Sequence, residues 1–376
     1  MKRLVVVVTV SLIAMVAAAV IAIRSSPSLI TLLTAFFAIL SQHLPSPPPS
    51  PAPHDLLNYK VERQLTFSQP TGLAWNRDQS RLAVLNNSHI DVLDTRDWRI
   101  LFRIERVDGT LSHCIFFTDG NAIIANSAYA TKEGPHYFAA VWDGSDGHLI
   151  REIERPQALP TKSNDRMTAC DLSSDGTMFA ASSMMSDYVV VYGTADWTVL
   201  AINRFMDTHS GVTGVSDVRF FHHSKRIAVT AGFGALFISD VGGERNSVPV
   251  LRSRIAELDY HALEVDADDR LIAVGGGRLP PNAHGVSPLA VYDVLNGTAR
   301  PIMNVQFGAV DFVRWLGNGE LLTGGDSPNR MLVVDPARGP RYAEDTGVDD
   351  RPGAAAVGDV WIAAIRGNSV VIYRRQ

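Results

Sequence analysis

The chain has little from which chemistry could be read directly. Two of its 376 residues are cysteines, Cys114 and Cys170, too few to build a disulfide framework or to decide the redox compartment. Charged residues make up 19% and the formal net charge is -5, so the basic field that attracts nucleic acid is missing and no nucleic-acid partner is expected. There is no Gly-x-Ser-x-Gly nucleophile elbow. Gly275-Gly276-Gly277 has no helical pattern behind it, which excludes a phosphate-binding loop. His222-His223 lacks the further converging ligands a zinc site requires and reads as a solvated turn. Asp165, Asp171, Asp266, Asp268 and Asp269 read as acidic groups of loops and turns, too few in any one loop for calcium. No cofactor, no metal and no catalytic residue is assigned on these grounds.

What is present begins with an uncharged run, Leu4 to Ile23, behind Met1-Lys2-Arg3. Its length suits a membrane-spanning helix, and a membrane anchor over 1–24 is expected; a cleaved signal with Ala17-Ala18-Ala19 at its cleavage site is the alternative. A second apolar segment, 25–44, leaves one or two crossings open. Lys2 and Arg3 favour a cytoplasmic N-terminus. One crossing then places the remainder outside the cytoplasm, in the periplasm if the cell is bacterial, and a helical hairpin returns it to the cytoplasm. Six prolines between Pro45 and Pro53 mark a semi-rigid linker, 45–57.

From residue 58 to 376 short apolar runs recur with Asp-Gly punctuation, four to a unit, and no long helical periodicity interrupts them. The third run of each unit ends at Asp94, Asp143, Gly193, Asp240, Asp293 and Asp335, a period of roughly 40–53 residues that suits a four-stranded propeller blade. After the sixth unit only three runs remain, and Tyr59 to Phe67 has no partner near it. Pairing that N-terminal strand with the last one completes a seventh unit and removes two exposed sheet edges. The expected fold class is therefore all-β: a seven-bladed β-propeller of four-stranded antiparallel blades, closed by its N- and C-terminal strands and preceded by an N-terminal transmembrane helix. Cys114 and Cys170 fall on first strands of adjacent units, offset by one residue, and are expected to be small buried side chains on opposite faces, with a disulfide between them as the alternative.

Ala140-Val-Trp-Asp143, Leu172-Ser-Ser-Asp-Gly-Thr177 and Thr208-His-Ser-Gly-Val-Thr-Gly-Val215 resemble the repeats of WD40 and WD40-like (YVTN-type) β-propellers. The resemblance covers roughly residues 58–373 and implies the same fold. Only one unit carries Trp-Asp and none pairs it with Gly-His, so the internal hydrogen-bond network of the family is not assigned to residues here.

In such a ring the loops joining strands two and three lie on the same face as those joining blades, and here the long loops gather on that face. They carry Tyr129, Lys132, His136, Tyr137, Lys162, Arg166, His209, Arg278, His284 and Arg330, an aromatic and cationic set suited to recognition of a protein or peptide partner. A non-enzymatic, membrane-tethered binding protein is the expectation. The alternative is a propeller enzyme, lactonase- or quinoprotein-like, with His113, His261, Asp165 and Arg166 near the channel mouth. Three or more polar groups converging on the channel would favour the alternative; an apolar plug would remove it.

Overall fold

The structure is a computed structural model. It describes residues 55–105, 115–118, 121–125, 137–154, 156, 167–183, 186–205, 214–231, 234–243, 250–252, 260–277, 289–302, 309–326, 329–346 and 352–376, all within the compact unit Ser50–Gln376. The apolar segments of residues 1–44 fall outside this set, and among the described residues no helix is long and apolar enough to cross a membrane.

Twenty-eight strands form seven four-stranded antiparallel sheets. After β1 (Tyr59–Thr66), blade 1 comprises β2 (Pro70–Trp75), β3 (Arg81–Asn86), β4 (His89–Asp94) and β5 (Ile100–Glu105). Blade 2 comprises β6 (Ile115–Phe117), β7 (Ala122–Ala125), β8 (Tyr137–Asp143) and β9 (Leu149–Glu154). Blade 3 holds β10 (Met167–Leu172), β11 (Met178–Ser183), β12 (Tyr188–Gly193) and β13 (Val199–Arg204). Blade 4 holds β14 (Val215–Phe220), β15 (Arg226–Ala231), β16 (Ala235–Asp240) and the short β17 (Leu251–Arg252). Blade 5 follows with β18 (Tyr260–Val265), β19 (Leu271–Gly276), β20 (Leu289–Asp293) and β21 (Thr298–Pro301), and blade 6 with β22 (Ala309–Trp315), β23 (Leu321–Asp326), β24 (Arg330–Asp335) and β25 (Gly339–Asp345). Blade 7 takes β26 (Pro352–Val357), β27 (Trp361–Arg366) and β28 (Ser369–Arg375) from the C-terminus and β1 from the N-terminus. β1 pairs with β28 from Tyr59 opposite Arg375 to Thr66 opposite Ser369, the closure expected from the unpartnered strand.

The core is divided rather than central. The described residues form seven apolar clusters, each built by one pair of neighbouring blades. A twisted sheet hydrophobic on both faces cannot stand alone, and seven such interfaces close into a ring. Alternating Val, Ile and Ala on the two middle strands of each blade supply both faces, as in β12, where all six residues are buried.

The turn from third to fourth strand recurs with one geometry. An aspartate at the strand end accepts the amide two residues on, as at Asp94, Asp143, Asp293 and Asp335. The fourth residue after the strand end takes a left-handed backbone in five blades: Gly147, Gly297 and Gly339, but Trp98 (φ 62°) and, after Gly193, Trp197 (φ 61°); in blade 4 the left-handed residue is Gly242, two after Asp240. A bulky residue there costs about 1–2 kcal/mol. Packing offsets that cost, because the Trp98 ring meets Trp361 of blade 7 edge-on at 5.3 Å and Trp75 at 6.4 Å, and Trp197 meets Phe179 at 6.1 Å.

Candidate functional site: the central channel

The first strand of each blade lines the channel and presents a sheet edge whose amides and carbonyls have no further strand to pair with. In the first strands of blades 1, 3, 4, 5, 6 and 7 the ladder slips at the same place, near the strand start: between Pro70 and Gly72, Met167 and Ala169, Val215 and Asp217, Tyr260 and Ala262, Val310 and Phe312, and Pro352 and Ala355. A bulge at a fixed place re-aims the side chains that follow it. One residue before the strand end, the seven blades then carry Ala74, Phe116, Asp171, Arg219, Glu264, Arg314 and Ala356. Read around the ring, blades 3 to 6 alternate acid and base, and blades 7, 1 and 2 are apolar.

These residues enclose a cavity of about 390 Å³. Arg219 and Arg314 both reach Glu264 Oε2, at 3.1 and 3.0 Å. Arg219 also pairs with Asp217 at 2.6 Å and donates to the Cys170 carbonyl. The carboxylates satisfy the free sheet edges: the Phe220 amide donates to Asp171 Oδ2 at 2.7 Å and the Leu263 amide to Asp217 Oδ2 at 3.0 Å. Arg314 donates to the Ala355 carbonyl at 3.0 Å, and the indoles of Trp75 and Trp315 donate to the carbonyls of Ala356 and Glu264. All of these contacts but the Arg219–Asp217 pair within β14 join neighbouring blades, so the charged lining also fastens the ring. The mouth at the strand ends is framed by Trp75, Phe117, Phe220 and Trp315, with Ser174 and His222 from the adjoining turns.

Burial sets the ionisation of this lining. It pushes the Asp171 carboxyl up to about 7, with Arg219 and the Phe220 amide pulling the other way. Asp217 is raised by burial too, against the pull of Arg219 and Arg314. For Arg219 burial acts downward, but Asp217, Glu264 and Asp171 outweigh it and hold the guanidinium charged.

Several expectations are corrected here. Asp171 lies in β10 and lines the channel; it is not a loop residue. Asp269 is more than a solvated turn residue, because its carboxylate accepts the amides of His222 and His223 from the neighbouring blade, at 2.5 and 2.8 Å. His222 and His223 themselves do lie in a turn. Cys170 is disulfide-bonded, and the chain has one other cysteine, Cys114. The disulfide at Cys170 replaces the expectation of a small unpaired buried side chain there; Cys114 lies outside the described residues.

Of the recognition set, Tyr129, Lys132, His136, Lys162, Arg166, His209, Arg278 and His284 lie outside the described residues. Tyr137 opens β8 opposite Glu154, and Arg330 opens β24 opposite Asp345 and Gly325, partly buried. His113, Asp165 and Arg166 are likewise outside, while His261 occupies the bulge position of β18. The residues that do converge are Asp171, Asp217, Arg219, Glu264 and Arg314. The signal for four of them was a charged residue one place before the end of each first strand of blades 3 to 6, with Asp217 two residues before Arg219 in β14.

Ligand-type atoms of Asp143, Asp146 and His148 lie within 4.8 Å of one another on the surface. Asp143 and Asp146 accept the amides of Ser145 and His148, the same turn geometry seen in the other blades, and that accounts for the grouping. No family model matches the chain, and no curated protein matches it by sequence.

Proposed function

We propose that the protein is a membrane-tethered, non-enzymatic β-propeller that binds a protein or peptide partner, with the rigid ring and its channel as the recognition scaffold. The observation that carries this reading is the division of the channel lining into a charged arc and an apolar arc inside a cavity of about 390 Å³, a size and polarity at which ligands are held. Its charges are fixed by hydrogen bonds to neighbouring blades, which preorganises the site. The uncharged run Leu4 to Ile23 supports the tether, and the disulfide at Cys170 supports an oxidising, extracytoplasmic setting for the ring. The long-loop face, with Arg330 at its edge, supplies the partner surface.

The test is a topology reporter fused after Gln376, combined with replacement of residues 127–136 and 278–287 by Asn-Gly turns. An extracytoplasmic reporter and loss of co-purifying partners on loop replacement support the proposal. A cytoplasmic reporter overturns the compartment, and retention of every partner overturns the face.

A second reading, a propeller enzyme acting at the channel mouth, is favoured by one observation: Asp171 is held near 7 in a cavity with five further charged side chains, a state suited to general acid–base work. Hydrolysis of simple lactones that Asp171→Asn abolishes without loss of fold would establish it.

A further inference from the structure

Around the channel three carboxylates, Asp171, Asp217 and Glu264, converge on two guanidiniums, Arg219 and Arg314. Glu264 is shared by both arginines, and Asp217 is held by Arg219 and by the amides of Val218 and Leu263. Among the described residues the one hydrogen bond of Asp171 comes from the Phe220 amide, to Oδ2. Asp171 also stands where the two arcs meet. Blade 4 places Arg219 on one side of it, and blade 2 places Phe116 on the other, followed by Ala74 and Ala356. Around the same mouth stand the rings of Trp75, Phe117, Phe220 and Trp315, whose faces attract cations.

We propose that the strand-end mouth of the channel is a receptor for an organic cation, an ammonium or guanidinium group on an apolar stem, with the charge at Asp171 and the stem along Phe116, Ala74 and Ala356. The carboxylate gains a counter-charge of its own, since Arg219 is shared with Asp217 and Glu264, and the stem covers apolar surface that the charged arc cannot cover. A free amine and a lysine or arginine side chain offered by a partner present the same chemistry. The inference builds on the binding reading above and concerns the face opposite the long loops.

The groups facing Asp171 are Arg219, Glu264 and Asp217, and His222 lines the same mouth; Arg219 stays charged, and a cation placed beside the raised Asp171 carboxyl favours its ionised form. Ligand binding at pH 7 therefore releases a proton from Asp171.

The experiment is calorimetry on the full chain in detergent, with n-butylammonium and n-butylguanidinium as probes and n-butanol and butyrate as controls. Expected are binding of the cations at least tenfold tighter than the controls, proton release seen as a dependence of heat on buffer ionisation, and a tenfold or greater loss in Asp171→Asn. Equal binding of butanol, absence of proton release in the unaltered chain, or unchanged affinity in a folded Asp171→Asn variant would overturn the proposal. Tighter binding of N-acetyl-lysine amide than of butylammonium points to a partner's side chain, and equal binding to a free amine. The probes need no partner, so their failure is separate from failure of the loop-replacement test, which leaves this mouth untouched.

Discussion

The two arcs of the channel have the same backbone and different content. β10, β14, β18 and β22 bring Asp171, Arg219, Glu264 and Arg314 to one register; β26, β2 and β6 bring Ala356, Ala74 and Phe116 to it. Both arcs carry the bulge near the strand start where their residues are described. Closing a ring therefore does not require charge at this position. The apolar half is joined by packing, as at the Trp98–Trp361 contact between blades 1 and 7, and the other half adds ion pairs that cross from blade to blade.

Several changes would break or sharpen that contrast, beginning with the largest. Trp98 is 7% exposed and wedged between two other tryptophans. Trp98→Ala should destabilise by about 3–5 kcal/mol, read as a lower denaturant midpoint, with the channel charges unaltered. Glu264→Gln removes the anion shared by two guanidiniums and should cost about 3 kcal/mol. The double change of Glu264→Gln with Arg314→Met should recover part of that loss, and no recovery would mean that the pair does not couple the blades.

Asp171→Asn should act in the opposite direction. The folded pKa, about 7, lies above the ordinary 3.8, so the native state holds a proton that the unfolded chain gives up. Stability from this group is complete below about pH 4 and is lost as pH rises through 7. The variant should melt higher than the parent at pH 8 and no higher at pH 4. The turn aspartates have the reverse sign. Side-chain and backbone hydrogen bonds from Arg96 hold Asp94 at about 2, and Asp143, Asp196 and Asp293 are lowered likewise. Their contribution is present above pH 4 and fades toward pH 2, so a melting profile against pH should fall on both sides. The smallest effect is expected at the outer rim, where Leu149 and Ile150 are half exposed. Replacing both with lysine should change stability by less than about 0.5 kcal/mol while raising solubility.

The ring was legible in the sequence because its signal is periodic. The third strands end at Asp94, Asp143, Gly193, Asp240, Asp293 and Asp335, as their spacing implied, and the lone strand at Tyr59 finds Arg375. The channel was not legible. Charged residues in a strand ordinarily mark its solvent side, and no local residue pattern marks Arg219 and Arg314 as channel residues. The bulge near each strand start, which no local residue type announces, shifts the alternation of the residues that follow it. Asp171 passed for a turn residue because it stands two residues before Ser173, where the Ser-Asp-Gly turn begins. The pairing of charges across blades depends on which strands become neighbours around an axis, and no stretch of sequence contains that.

The clasp between β1 and β28 sets an order of events. Tyr59 and Arg375 are separated by the other six blades, so the first strand must wait, its edge bare, until β28 has been synthesised. Blades 1 to 6 can each assemble from contiguous sequence in the meantime, but the circle locks only at the end. A chain in which β28 could not form would forfeit not one strand but the lock on all seven blades.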